Sequence, residues 1–155
     1  MRRGVPGMVS CIAGAQQVIL SEQDALCPLL RQNIKKNFVS SERIDATALS
    51  WGLEATTKLQ ANYPEGFNLI LSCDCIYEPL YGQSYLHLAD TLNQLCHSSS
   101  STIALVAVER RNQDGVDQFL RYVEAGTELQ WTRVRQSQGP GRECIEIYQI
   151  NSKLA

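Results

Sequence analysis

The chain contains no apolar run approaching the ~18 to 20 residues that span a bilayer, and its opening MRRGVPGMVSCIAGA is interrupted by Pro6, Gly7 and Gly14. A membrane partner is therefore not expected. Positive charge is not in excess: 14 Lys and Arg stand against 16 Asp and Glu, a formal charge of -2 with an isoelectric point near 5.7. Nucleic-acid binders need clustered cations, so that partner class is set aside. The two histidines, His87 and His97, are ten residues apart and do not form a ligand pair. Cys73-x-Cys75 lacks the second Cys or His pair of a zinc site and the C-x-x-C spacing of a redox dithiol, and strand alternation sends its side chains to opposite faces. No metal is expected. No G-x-G-x-x-G precedes the first helix, which weighs against a nicotinamide enzyme. No repeat is present, and the one low-complexity patch, Ser98 to Ser101, reads as a surface loop.

What is present suits one domain over residues 1–155, with 44% apolar residues for its core. Six cysteines, Cys11, Cys27, Cys73, Cys75, Cys96 and Cys144, lie mostly inside apolar segments without a secretory signal before them. They read as reduced core residues of a cytoplasmic or nuclear protein.

Three short apolar runs each end on an acid: QVILSE at 17–22, FNLILSCD at 67–74 and TIALVAVE at 102–109. Continuous apolar runs of this length predict strands buried on both faces, as in a parallel sheet. Between them the spacing predicts helices. Leu26, Leu29, Leu30 and Ile34 form one stripe, with Asp24 as cap and Pro28 in the opening turn; Tyr81, Tyr85, Leu88, Leu92 and Leu95 form another. A third helix spans 113–125, with Val116, Phe119, Leu120 and Val123 inward and Gly126 as its stop. TELQWTRVR and RECIEIYQI alternate around the turn QSQGPG and predict an antiparallel hairpin, while 43–51 is a weaker strand. The fold class is α/β: a doubly wound, Rossmann-like, mostly parallel sheet closed by a C-terminal antiparallel hairpin.

Glu22, Asp74 and Glu109 then all fall at the carboxyl ends of strands, where ligands of open α/β sheets bind. Glu22 stands either to accept hydrogen bonds from a ribose or to cap the helix near Asp24, and the residues do not separate the two.

The segments RGVPGMVSCIAGAQQVILSE, LSWG at 49–52, FNLILSCDCIY and VAVERR resemble the seven-stranded S-adenosylmethionine-dependent methyltransferases. The likeness is to the small protein-lysine methyltransferases of methyltransferase-like family 21 type. It rests on Gly4 with VPG, Gly14-Ala15, Glu22, Trp51-Gly52, and Asp74 with Tyr77, in family order from residue 4 to about 150. The resemblance implies S-adenosylmethionine as cofactor, met by Gly4, Glu22, Trp51 and Cys73, and a protein lysine as acceptor. It places Asp74, Tyr77 and Glu109 on the acceptor's rim. Asp74 captures and orients the amine rather than taking its proton, because a carboxylate favours the ammonium form. Tyr77 accepts its hydrogen bond or offers a ring face to the cation.

Bland readings stand beside these. Asp74 caps a helix near Leu80; Tyr77 and Trp51 are core aromatics; Arg110 and Arg111 are solvated charges.

Family members usually carry Asp at Glu22. The match starts at Gly4, so the family's first strand and most of its Gly-rich loop are absent, implying a domain incomplete at its N-terminus. In the family that strand lies between the second and the fourth, and each buried backbone group left unpaired costs about 1 to 3 kcal/mol. The alternative function is a non-catalytic, truncated paralogue acting as a protein-interaction module. Oligomeric state is not legible.

Overall fold

The computed structural model describes residues 4–38, 40, 42–97, 101–138 and 144–154. Most of the Ser-rich patch and the tip of the hairpin lie outside them. The chain divides into two compact units, Met1–Ser50 and Trp51–Ala155, taken here in turn.

The first unit holds α1 (Val5–Ile12), β1 (Val18–Glu22), a 3-10 turn (Asp24–Leu26), α2 (Cys27–Asn37) and β2 (Ile44–Ala48). The strands pair in parallel from Val18 opposite Ile44 to Glu22 opposite Ala48. Met8, Cys11, Leu20, Leu30, Ile34, Ile44 and Ala46 form its core. Pro6 opens α1, where its fixed φ suits the first turn. Gly7 lets α1 lie close against β1, since a Cβ there would come within 2.2 Å of Leu20 Cδ2. Asp24 does not cap α2: it sits in the 3-10 turn, and the helix begins at Cys27 without a side-chain cap, Pro28 in its first turn as expected.

The second unit holds α3 (Leu53–Asn62), β3 (Leu69–Cys73), α4 (Glu78–Tyr81), α5 (Ser84–His97), β4 (Ile103–Arg110), α6 (Val116–Gly126), β5 (Leu129–Gln138) and β6 (Cys144–Ser152). Its sheet runs β3-β4-β6-β5, with β3 and β4 parallel and the predicted hairpin antiparallel, β6 innermost. The mixed α/β class agrees with the expectation. β1 and β3 each pair with one neighbour only among the described residues.

Helices α5 and α6 cover one face of this second sheet. Tyr85, Leu88, Leu92, Val116, Phe119, Leu120 and Val123 pack with Ala104, Val106, Val108, Tyr148 and Ile150. The predicted stripe is broken at Gly82 (φ 57), so Tyr81 falls in α4 and is exposed. α6 starts three residues later than predicted, because Gln113 (φ 55) and Gly115 (φ 86) are left-handed and Asp114 Oδ1 accepts the Val116 N–H at 2.9 Å. The expectation that β3 is buried on both faces is corrected. Leu69 and Leu71 are exposed while Ser72 is buried, because register places Leu69, Leu71 and Cys73 on the face opposite α5 and α6.

Candidate active site

Two parallel strands, β3 and β4, end on the same edge, and this brings the second unit's acids together. Asp74 follows β3 directly, and its N–H still donates to Ala107 O at 2.7 Å. Glu109 is the penultimate residue of β4. Arg111 lies between them. Its Nη1 and Nη2 donate to the two oxygens of Asp74, each at 3.0 Å, and Nη2 also reaches Glu109 Oε2 at 2.5 Å. The guanidinium carbon stands 5.2 Å from the centre of the Tyr77 ring, a cation-π contact. All three expected acceptor-rim residues therefore meet on one cation. Hydrogen bonding to Asp74, against partial desolvation and with the nearby charges of Asp74 and Glu109, pushes the Arg111 guanidinium above its ordinary value.

Asp74 adopts φ 53, a left-handed conformation uncommon outside glycine and asparagine, held by the strand bond on one side and the two-pronged Arg111 contact on the other. It does not cap α4, whose N-cap is Tyr77 without a side-chain bond. The rim remains open to solvent: the Asp74 and Glu109 side chains are 49% and 36% exposed.

Arg110 points the other way, as strand alternation requires of a residue next to Glu109. It donates to Asp114 at 2.9 Å, Asp117 at 3.0 Å and Glu146 at 3.0 Å. Glu146 is buried on β6 and also receives Arg133 Nη1 at 2.8 Å and the Tyr148 hydroxyl. Burial raises the Glu146 carboxyl, but the bonds from Tyr148, Arg110 and Arg133 outweigh it and hold the group below its ordinary range. Asp114 Oδ2 takes the Arg111 N–H at 2.9 Å, so this cluster anchors the backbone that carries Arg111. The reading of Arg110 and Arg111 as solvated charges is thus corrected for both. The missed signal was local: a strand-end acid followed by two cations, which alternation must send to different partners.

The remaining expected residues have their own surroundings. Trp51 is half-buried against the second unit's core. The turn after it is fixed by Gly52 N–H donating to Thr91 Oγ1 at 2.8 Å, with Thr56 Oγ1 donating to Gly52 O at 2.7 Å. Cys73 is exposed, and local desolvation, then Cys75 and Asp74, push its thiol up, which makes it a poor nucleophile. Cys75 packs against the core. In the first unit, Gly4 (φ 81) is the N-cap of α1, and a Cβ there would meet Leu20 Cδ1 at 2.9 Å and Leu30 Cδ2 at 3.0 Å. The missing Cβ at Gly4 thus makes room for the first unit's own core side chains. Glu22 ends β1, and its Oε1 accepts the Gln23 N–H at 3.1 Å, just before the 3-10 turn. Glu22, a carboxylate at the carboxyl end of a strand, is of the chemical type that accepts hydrogen bonds from a ribose.

A family described as lysine methyltransferase matches residues 3–125. The chain belongs to this lysine methyltransferase family. Secreted RxLR effector protein 48 of Plasmopara viticola is 45% identical over 157 residues, covering 96% of this chain and 80% of that protein. That relative overturns the expected cytoplasmic or nuclear location, since its name describes a secreted protein. The expectation rested on cysteines read as reduced core residues. Cys11, Cys27 and Cys96 are buried, and burial pushes the Cys96 thiol up to about 11. A thiol enclosed in this way stays unpaired in either compartment, so its state carries no address.

Proposed function

We propose that this member of the family is an S-adenosylmethionine-dependent protein-lysine N-methyltransferase of methyltransferase-like family 21 type. The observation that carries the reading is the rim itself: two carboxylates and an aromatic face gathered on one cation, the chemistry that recognises a lysine side chain. The resemblance assigns Gly4 and Glu22 in the first unit, and Trp51 and Cys73 in the second, each as a cofactor residue of its own unit. S-adenosylmethionine, when bound, supplies a methyl group whose bond to sulfur breaks as the amine nitrogen bonds to its carbon.

The chain's own task is then to place and prepare the amine. Asp74 and Glu109 draw in the ammonium, Tyr77 lies along it, and the proton leaves to solvent before attack. Presenting a neutral lysine at pH 7 costs about 4.6 kcal/mol from its reference pKa. The carboxylates add to that cost, so they serve capture and orientation rather than proton removal.

The exposed edge and apolar face of β3 favour a second reading, a non-catalytic interaction module. The name of the relative supports a secreted effector.

Thermal unfolding with S-adenosylhomocysteine separates the two functions, because a ligand of the native state raises its stability by RT ln(1 + [L]/Kd). The enzyme predicts a rise in Tm with ligand and Nε-methyllysine, detected by mass spectrometry, in a pool of lysine-containing peptides. No Tm change at about 100 times a micromolar Kd, where the shift is worth about 2.7 kcal/mol, selects the module.

A further inference from the structure

We infer that Arg111 is a positioning residue that sets the charge the rim presents to the incoming amine, and so the pH at which that amine becomes reactive. The inference rests on the methyltransferase reading above. Its basis is the geometry of one guanidinium held by Asp74 at 3.0 Å on both oxygens and by Glu109 at 2.5 Å, over Tyr77. Two carboxylates and one guanidinium leave a net charge of -1; without Arg111 the same rim carries -2.

A more negative rim binds an ammonium more tightly and releases its proton less readily. An acceptor amine needs both capture and deprotonation, and these pull in opposite directions. Arg111 balances them. It engages both oxygens of Asp74 and one of Glu109, while exposures of 49% and 36% leave the two carboxylates accessible to a second cation. Its two-pronged grip also holds Asp74 at φ 53.

The other charged groups here are accounted for. Asp114 accepts the Arg111 N–H but is paired with Arg110, which also binds Asp117 and Glu146. Glu78 opens α4 next to Tyr77, and its backbone N–H donates to Asp114 O. Cys73 adds a thiol whose ionisation is suppressed by desolvation. Arg111 is therefore the cation that both rim carboxylates share.

The test compares the full chain with Arg111→Gln and Arg111→Lys. In methyl transfer to a lysine peptide, Arg111→Gln is expected to move the acidic limb of the kcat profile, which reports groups in the enzyme–substrate complex, up by about one pH unit. Arg111→Lys keeps the limb in place and lowers kcat, because an ammonium cannot grip both oxygens of Asp74. An unmoved limb in Arg111→Gln, whatever the loss of kcat, overturns the inference.

A second readout does not depend on activity. NMR titration with n-butylammonium, followed on the Asp74 and Glu109 carboxyl carbons, is expected to show at least about threefold tighter binding to Arg111→Gln than to the wild type. Equal affinity overturns the inference even in an active enzyme. If the wild type transfers no methyl group, the proposed function fails separately and the amine affinity alone decides on Arg111. Arg111→Met, which keeps the aliphatic stem, replaces Arg111→Gln if that variant unfolds; unfolding of both makes Arg111 a stability residue and overturns the assignment.

Discussion

Arg110 and Arg111 are adjacent, identical in type, and each bound to carboxylates at 2.5 to 3.0 Å, yet they belong to different kinds of place. Arg110 is the hub of a cluster whose inner acids Asp114 and Glu146 are 4% exposed, with Asp117 on its outer side at 63%. Arg111 lies in an open rim whose acids face solvent. The Arg110 cluster ties the end of β4 to the start of α6 and to β6; the open rim leaves its carboxylates accessible to a further cation. Charge pairing alone does not distinguish structure from site. Enclosure of the partner acids does.

The largest expected effect breaks the comparison on stability. Arg110→Met leaves two buried carboxylates without their shared cation and is expected to lower the unfolding free energy by about 3 kcal/mol in urea denaturation. Arg111→Met is expected to stay within about 1 kcal/mol, because its partners regain water. Equal losses would mean that the rim is structural after all.

A smaller effect follows from Glu146. Its folded-state carboxyl lies below the ordinary value of 4.5, so its contribution is present above that value and is lost as pH falls through the lowered one. The Tm of the wild type should therefore drop below about pH 4.5, and Glu146→Gln should flatten that part of the curve. Smaller again, Tyr148→Phe removes one hydrogen bond to a buried carboxylate and is expected to cost about 1.5 kcal/mol. Burial and then Glu146 push the Tyr148 hydroxyl up to about 12, so ultraviolet titration of the variant should show one fewer late-ionising tyrosine than the wild type.

The same contrast explains what was legible beforehand. The strands around Leu20 and Val106 and the inward face of α6 at Phe119 and Leu120 could be read because apolar spacing reports which residues a core takes. Asp74, Tyr77 and Glu109 could be placed because strand ends mark the ligand edge and a family motif names them. Arg111 could not, since a surface arginine and a rim arginine look alike until the partners meet across 37 residues. The open face of β3 was hidden for a related reason: an apolar run reports the chance of burial on both faces, not whether elements are present to cover them. The left-handed turn at Gln113 left no apolar period to read, so the start of α6 was placed too early. Location was misread because buried thiols are silent about compartment.

The most direct test of the account is methyllysine formation by Asp74→Asn, since asparagine tolerates the left-handed backbone at φ 53 while removing the charge. The predicted result is a loss on the order of 100-fold, with the Tm shift produced by S-adenosylhomocysteine unchanged. A variant that keeps the wild-type rate, or that loses the cofactor shift together with activity, contradicts the assignment of this rim to the acceptor amine.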